Sequence, residues 1–290
     1  MNPGDNSFVD VVVVGGGHNG LAAAAYLGRA GYSVTVLERE PQVGGAAVSA
    51  QAFPGVDAKL SRYSYLVSLM PQSIRDDLDL DISLIRRRYS SYTPVPGTAK
   101  GLLIDTGDAQ RTRASFEDIG AGDDYTRWLD FYRDTQVLAA SLFPTMTEPL
   151  LREAEVRRLL GLASPGRALY ERFIETPITT LINNTFENDI VRGVVLTDAL
   201  IGTFPEADND SAMRACFLLH VIGGGTGDWD VPVGGMGSVS GALENSARSA
   251  GVHIETGAEV THISEQSQVR FVKDGAEQTI ACQLVISGAS

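Results

Sequence analysis

Phe8-Val9-Asp10-Val11-Val12-Val13-Val14-Gly15-Gly16-Gly17-His18-Asn19-Gly20 decides how the rest of this sequence is read. The β-branched run up to Val14 predicts a strand buried on both faces of a parallel sheet. Leu21-Ala22-Ala23-Ala24-Ala25-Tyr26-Leu27-Gly28-Arg29-Ala30 predicts a helix that Gly31 stops, and Ser33–Leu37 predicts a second strand ending on Glu38. Gly15, Gly17 and Gly20 stand in the G-x-G-x-x-G register of a dinucleotide-binding turn. Gly15 serves the tight turn, Gly17 leaves room for a pyrophosphate at the backbone, and Gly20 lets the helix pack on the sheet. The helix start offers free N–H groups and the positive end of its dipole to phosphates. Gly16, His18 and Asn19 complete the turn as cofactor-contact positions, the two polar residues without a catalytic role.

Glu38 follows Gly15 by 23 residues, where an acid accepts hydrogen bonds from an adenosine ribose diol and repels a 2′-phosphate. NADP therefore fits poorly, and FAD and NAD are left. The continuation, Glu38-Arg39-Glu40-Pro41-Gln42-Val43-Gly44-Gly45, turns the chain back along the cofactor, with Gly44 and Gly45 passing close over it. A nicotinamide domain continues from its second strand into another crossover helix. Here Ser49–Gly55 has loop or hairpin chemistry instead, which favours FAD.

Val11–Gly45, the turn Gly15-Gly16-Gly17-His18-Asn19-Gly20-Leu21, and Phe53-Pro54-Gly55-Val56-Asp57-Ala58 with Leu60-Ser61-Arg62-Tyr63-Ser64-Tyr65 together carry a resemblance. They resemble flavin-dependent oxidoreductases of the phytoene desaturase and amine oxidase superfamily, closest to its phytoene-dehydrogenase-like branch. The resemblance implies non-covalently bound FAD and hydride transfer to flavin N5 from an apolar or lipid-like substrate. It implies a discontinuous Rossmann-like α/β FAD-binding domain (1–85 and 229–290) and an inserted, mainly helical α+β substrate or cap region (86–228). It also implies that Gly234, Gly235 and Met236 border the flavin and substrate, and that the backbone of Val260 meets the adenine. Relatives of this kind continue past residue 290 into a late glycine-rich segment, so a chain truncated at its C-terminus is expected. Two alternatives stand beside the dehydrogenase: a flavin amine oxidase of the same fold, and a non-catalytic FAD-binding or interaction protein.

In the middle of the chain, 60–80 reads as helical through Leu60, Tyr63, Leu66, Val67 and Met70, and 84–114 alternates as strands do. Ser115 is the expected N-cap of a further helix. Asp123–Leu142 (with Tyr125, Trp128, Leu129, Tyr132 and Leu138 at helical spacing), Glu148–Leu162, Asn188–Ile201 and Asp210–Ile222 read as helices whose aromatics form core. A helix from Ser238 to Ala250 and strands at 252–255, 259–264, 269–273, 277–281 and 284–287 complete the reading.

Composition excludes several classes. With 23 basic against 36 acidic residues in 290 and a net charge of −13, no basic stripe awaits nucleic acid, and Arg86-Arg87-Arg88 is too short to supply one. No stretch has the roughly 18 apolar residues of a membrane span, which leaves peripheral membrane contact open, and the start Met1–Asp5 lacks the features of a signal peptide. The expected compartment is the cytoplasm. Cys216 and Cys282 form no C-x-x-C, which argues against a redox dithiol and a Cys-based zinc site. His220 and His253 read as structural or exposed; neither a catalytic side chain, a metal ligand nor an oligomeric state is legible.

Overall fold

A computed structural model describes residues 8–161, 166–204 and 210–289. Its strands are β1 Phe8–Val14, β2 Val34–Glu38, β3 Ser49–Gln51, β4 Lys59–Ser61, β5 Leu84–Arg86, β6 Tyr89–Pro94, β7 Gly101–Asp105, β8 Asp230–Pro232, β9 His253–Thr256, β10 Glu259–Ile263, β11 Gln268–Lys273 and β12 Ala276–Ser287. Its α-helices are α1 His18–Arg29, α2 Gln72–Asp77, α3 Ala109–Asp118, α4 Gly122–Leu142, α5 Glu153–Leu159, α6 Gly166–Tyr170, α7 Ile178–Thr185, α8 Asp189–Leu200, α9 Asp210–Val221 and α10 Met236–Ser249. The fold is mixed α/β with a Rossmann-like domain. The chain forms two compact units. One comprises the residues up to Val67 with Gln72–Ile85 and those from Val231 on; the other comprises Ser68–Pro71 and Arg86–Asp230.

The first unit is built on a six-stranded sheet in the order β10-β11-β12-β1-β2-β9. β12, β1, β2 and β9 run parallel, with Val11 opposite both Leu284 and Val34, and Leu37 opposite Glu255. β10, β11 and β12 form an antiparallel meander. The valine run of β1 is apolar throughout because both its faces are covered. Val12 and Val14 pack into a cluster with Leu37, Val269, Phe271, Ile280 and Cys282. Val13 turns to α1, where its side chain lies 3.3 Å from a Cβ built on Gly20. α1 buries Gly20, Leu21, Ala24 and Ala25. It also approaches α10 closely: a Cβ on Gly28 would stand 2.8 Å from the Ala250 carbonyl oxygen, so only glycine fits.

The second unit is mainly helical around an aromatic core. Phe116, Phe131, Phe173, Phe186 and Phe217 are essentially inaccessible, and Phe131 meets Phe173, Phe186 and Phe217 at centroid separations of 5.3–6.0 Å, spacings at which ring pairs attract. Trp128 joins this core with Tyr125 and Tyr132 at its margin, but Leu129 from the same helical stripe is exposed. The basic run is consumed locally. Arg86 pairs with Asp228 and Asp230, Arg87 donates to the carbonyls of Trp229 and Ser90, and Arg88 pairs with buried Asp105.

Several expected elements are corrected. Residues 60–80 do not form one helix: Leu60 pairs with Ala50 in the β3–β4 hairpin, Tyr63 and Tyr65 are exposed, and only Gln72–Asp77 is helical. The strand reading of 84–114 holds to Asp105, after which α3 starts. Its cap is Asp108, whose carboxylate accepts from the N–H groups of Gln110 and Arg111. The Ser115 hydroxyl instead bonds to the carbonyls of Leu103 and Thr112 inside the helix. The helix expected at 148–162 covers only Glu153–Leu159, and Leu162 lies outside the described residues. The two last strands are one continuous strand, β12. Among the described residues, no helix is long and apolar enough to cross a membrane.

Candidate functional site

The site lies in the first unit, where β1 ends, α1 begins and the segment after β2 returns. Gly15 leaves the strand with φ +96°, and a Cβ there would come within 3.2 Å of Gly288 and Ala289. Gly20 is set against the turn so closely that a Cβ would lie 2.2 Å from the Gly15 carbonyl oxygen. Both glycines are therefore demanded by the fold itself. Gly17 is not. Its φ of −68° and ψ of 169° suit any residue, and the nearest atom to a Cβ built there, Cα of Gly45, is 4.0 Å away. Among the described residues, no atom outside its chain neighbours comes closer to that position.

Gly17 is also the N-cap of α1. No side chain caps that helix, and its first turn holds no acidic residue, so among the described residues no side-chain acceptor meets its first N–H groups. His18 and Asn19 open the helix and are exposed. Partial desolvation holds the His18 imidazole below its usual pKa, so it is neutral at physiological pH.

Glu38 closes the site from the second strand. Its side chain is 8% exposed. One carboxylate oxygen accepts from the Gly16 N–H at 2.6 Å and the other from the Glu40 N–H at 2.9 Å. A carboxylate offers about four acceptor positions, so capacity for two further donors is left, and a vicinal diol supplies two. Arg39 is exposed beside Glu40. The glycine pair then comes back as expected: the Gly44 N–H donates to the Gly16 carbonyl at 2.8 Å, and a Cβ on Gly45 would sit 3.1 Å from Gly17 Cα. The positive φ values of Gly44 (+124°) and Gly45 (+56°) permit this return. Residues 15–20, Glu38 and 44–45 thus meet at one place.

The remaining positions are disposed differently. Val260 lies on β10, half-buried against the cluster that contains Leu37, and the strand is anchored by Ala258 N–H donating to the Glu38 carbonyl at 2.8 Å. Gly234 and Gly235 take positive φ, but the helix they lead into has its N-terminus already occupied. Met236 N–H donates to Ser61 Oγ and Gly237 N–H to Ser49 Oγ, each at 2.9 Å. Two serines of the β3–β4 hairpin therefore cap α10 from a distance in sequence, and Met236 itself is buried. The two glycine-led helices differ in kind: α10 is closed by its own chain, α1 is open.

Sequence reading missed Ser49 and Ser61, because capping by a distant hairpin leaves no local signal. It also missed Gly288 and Ala289. The Gly288 N–H donates to the Val14 carbonyl at 2.8 Å, which brings the end of β12 against the glycine turn; a Gly-Ala pair after an apolar strand was the available signal. Neither thiol is poised for redox work. The Cys216 thiol donates to the Ile201 carbonyl at 3.0 Å and that of Cys282 to the Ser267 carbonyl at 3.1 Å. Burial pushes both pKa values up. Among the described residues, no group of three His, Cys, Asp or Glu side chains could hold a metal ion.

Residues 13–76 match the NAD(P)-binding Rossmann-like domain family. The whole chain is 47% identical to an uncharacterized protein of Mycobacterium tuberculosis, of which it covers 55%. It is also homologous to pyridine nucleotide-disulfide oxidoreductase domain-containing protein 2 of Mus musculus, with 33% identity over 97% of this chain and 53% of the mouse protein. The chain thus spans about half the length of these relatives. Among solved structures, putrescine oxidase aligns with a TM-score of 0.54 at 19% identity, over 96% of this chain and 57% of that one. Rab GDI of Plasmodium falciparum aligns with a TM-score of 0.55 at 12% identity, over 98% of this chain and 66% of that one. These two share the fold, and one fold hosts many functions.

Proposed function

We propose that the chain is the FAD-binding portion of an oxidoreductase of the dehydrogenase or desaturase type, acting on an apolar or lipid-like substrate. In this reading residues 1–85 and 229–290 bind the cofactor and 86–228 shape the substrate region. The observation that carries it is Gly17, a glycine required neither by its backbone angles nor by its neighbours, at an uncapped helix start. Close approach of a ligand phosphate explains why it is glycine. Gly15, Gly16, His18, Asn19 and Gly20 form the phosphate-facing turn, and the open N-terminus of α1 holds the pyrophosphate charge. Glu38 takes the ribose hydroxyls and excludes a 2′-phosphate by repulsion. Arg39, Gly44 and Gly45 follow the cofactor away from the ribose, and Val260 faces the adenine. Gly234, Gly235 and Met236 act as a border held in position by Ser49 and Ser61 rather than as phosphate donors. FAD, when bound, supplies an acceptor for a hydride; the residues named here bind and orient it. We place the protein in the cytoplasm, with at most peripheral membrane contact and no nucleic-acid partner.

A flavin amine oxidase is the second reading, supported by the fold shared with putrescine oxidase. A non-catalytic FAD-binding or interaction protein is the third. Titration of the purified chain with FAD and with NAD, followed by fluorescence, tests the cofactor. Saturable FAD binding is expected, and preference for NAD overturns the assignment. The same titration on Glu38→Ala should give a dissociation constant about ten- to a hundred-fold weaker, since a hydrogen bond to a charged group contributes roughly 1.5–3 kcal/mol. An unchanged constant removes Glu38 from the ribose. Replacing Cys216 and Cys282 together by Ser should leave FAD affinity within about twofold (about 0.4 kcal/mol at 1.4 kcal/mol per decade) and any substrate-driven flavin reduction intact. Loss of reduction in a folded, flavin-loaded double variant brings a thiol mechanism back.

A further inference from the structure

The β3–β4 hairpin of the first unit ends in a turn that is apolar where surface turns are ordinarily polar. Residues 51–57 are all exposed. Among them Phe53 is 55% and Val56 51% exposed, and Leu60 and Tyr63 follow at 49% and 60%. The turn is closed on itself. Val56 N–H donates to the Phe53 carbonyl at 3.3 Å across Pro54 and Gly55, and Gly55 takes φ +78°, matching the Pro-Gly centre of a type II turn. Such a turn holds its first and fourth Cα atoms within about 7 Å, so Phe53 and Val56 share the tip. The Val56 carbonyl accepts from the Ala58 N–H at 2.8 Å and from Gln51 Nε2 at 3.0 Å. At the base, Ser49 and Ser61 are tied to α10, and the Arg62 N–H donates to the Val48 carbonyl at 2.9 Å.

Charge marks the same hairpin. Elsewhere in this unit Arg29, Arg39, Arg248, Arg270 and Lys273 each face an acid, and Arg75 donates to the Ile82 carbonyl. Lys59 and Arg62 are exposed, and among the described residues neither has an anionic partner. Arg62 lies over the Tyr63 ring, 5.3 Å from its centroid. Against these two cations the hairpin holds a single acid, Asp57.

We propose that the β3–β4 hairpin docks on the surface of an anionic lipid bilayer. Phe53 and Val56 enter the acyl boundary, where their apolar area leaves water. Lipid offers backbone groups no partner, and the tip bonds its Phe53 and Val56 carbonyls internally and carries a proline without an N–H. Lys59 and Arg62 sit at the level of the lipid phosphates, with Tyr63 as the amphipathic ring beside them. Screening over about 8 Å at physiological salt lets these nearby cations outweigh remote acids of the chain. Nucleic acid gives Phe53 and Val56 no apolar layer to enter, and a second copy is repelled by the net charge of −13 that both carry. The hairpin gives the peripheral membrane contact a place in the fold, and it does so whether or not the chain binds FAD.

Co-sedimentation with vesicles of phosphatidylcholine alone, and of an equal mixture with phosphatidylglycerol, forms the test. The chain is expected to bind the mixture about threefold better or more, because basic residues add attraction to an anionic surface. Phe53→Ser with Val56→Ser should weaken binding to both vesicles by about tenfold or more. Lys59→Glu with Arg62→Glu should abolish the preference for the mixture. All four side chains are exposed, so both variants should melt with the parent, and FAD titration of each reports on the flavin reading alone. Absence of binding to either vesicle overturns the proposal, and so does binding that the Phe53 and Val56 replacements leave unchanged. A lipid-free dimer in analytical ultracentrifugation that the same replacements dissolve assigns the tip to a second copy and overturns it too.

Discussion

Gly17→Val is expected to lose dinucleotide binding while keeping the fold. The extended φ and ψ of Gly17 accept a β-branched residue, and the nearest atom outside its chain neighbours to a Cβ there is Gly45 Cα at 4.0 Å, so the stability cost should stay within about 1 kcal/mol, the scale of an N-cap change. The same side chain occupies the space that the proposed reading assigns to a pyrophosphate. The FAD dissociation constant should therefore rise by at least about a hundred-fold, roughly 2.8 kcal/mol at 1.4 kcal/mol per decade. Fluorescence titration gives the affinity, and far-UV circular dichroism during a thermal melt gives the fold. Equal affinity in variant and parent would falsify the placement of the phosphate at this turn.

Gly20→Val, three residues along in the same motif, should behave in the opposite order. Its Cβ would stand 2.2 Å from the Gly15 carbonyl oxygen, a backbone atom that cannot swing aside. The helix must lift from the sheet, breaking the contact with Val13 and the burial of Leu21 and Ala24. Overpacking a tight core typically costs about 1–3 kcal/mol and sometimes more, and a Cβ clash with backbone belongs at or above the upper end. Chemical denaturation should show the first unit destabilised by about 3 kcal/mol or more, with FAD binding lost only as a consequence. A Gly20→Val protein that melts like the parent but fails to bind would mean that Gly20, like Gly17, faces ligand rather than sheet.

The two glycines look alike in the sequence, and the motif assigns them roles by register alone. Coordinates separate them by what surrounds each Cβ. The same holds for the two glycine-led helices. Gly15–Gly20 and Gly234–Met236 are both expected beside the cofactor, yet Ser61 and Ser49 occupy the N–H groups of the second helix. The failure over 60–80 has a related cause: Leu60 and Tyr63 fall at helical spacing, but backbone pairing of Leu60 with Ala50 outweighs a weak local periodicity. At 108–118, two residues could cap. Asp108 wins because Ser115 finds the Leu103 carbonyl on a neighbouring strand.

By itself the sequence determined the strand–turn–helix–strand unit, its dinucleotide register and the acid at its end. Each of these depends on local chemistry, namely β-branching, helix propensity, the missing Cβ of glycine and the reach of a single carboxylate. Tertiary structure decided which glycines the packing demands and which it does not, which helix start no side chain caps, and where Gly288 and Ala289 come to lie. Partners far apart in the chain meet only through packing, which spacing along the chain does not encode.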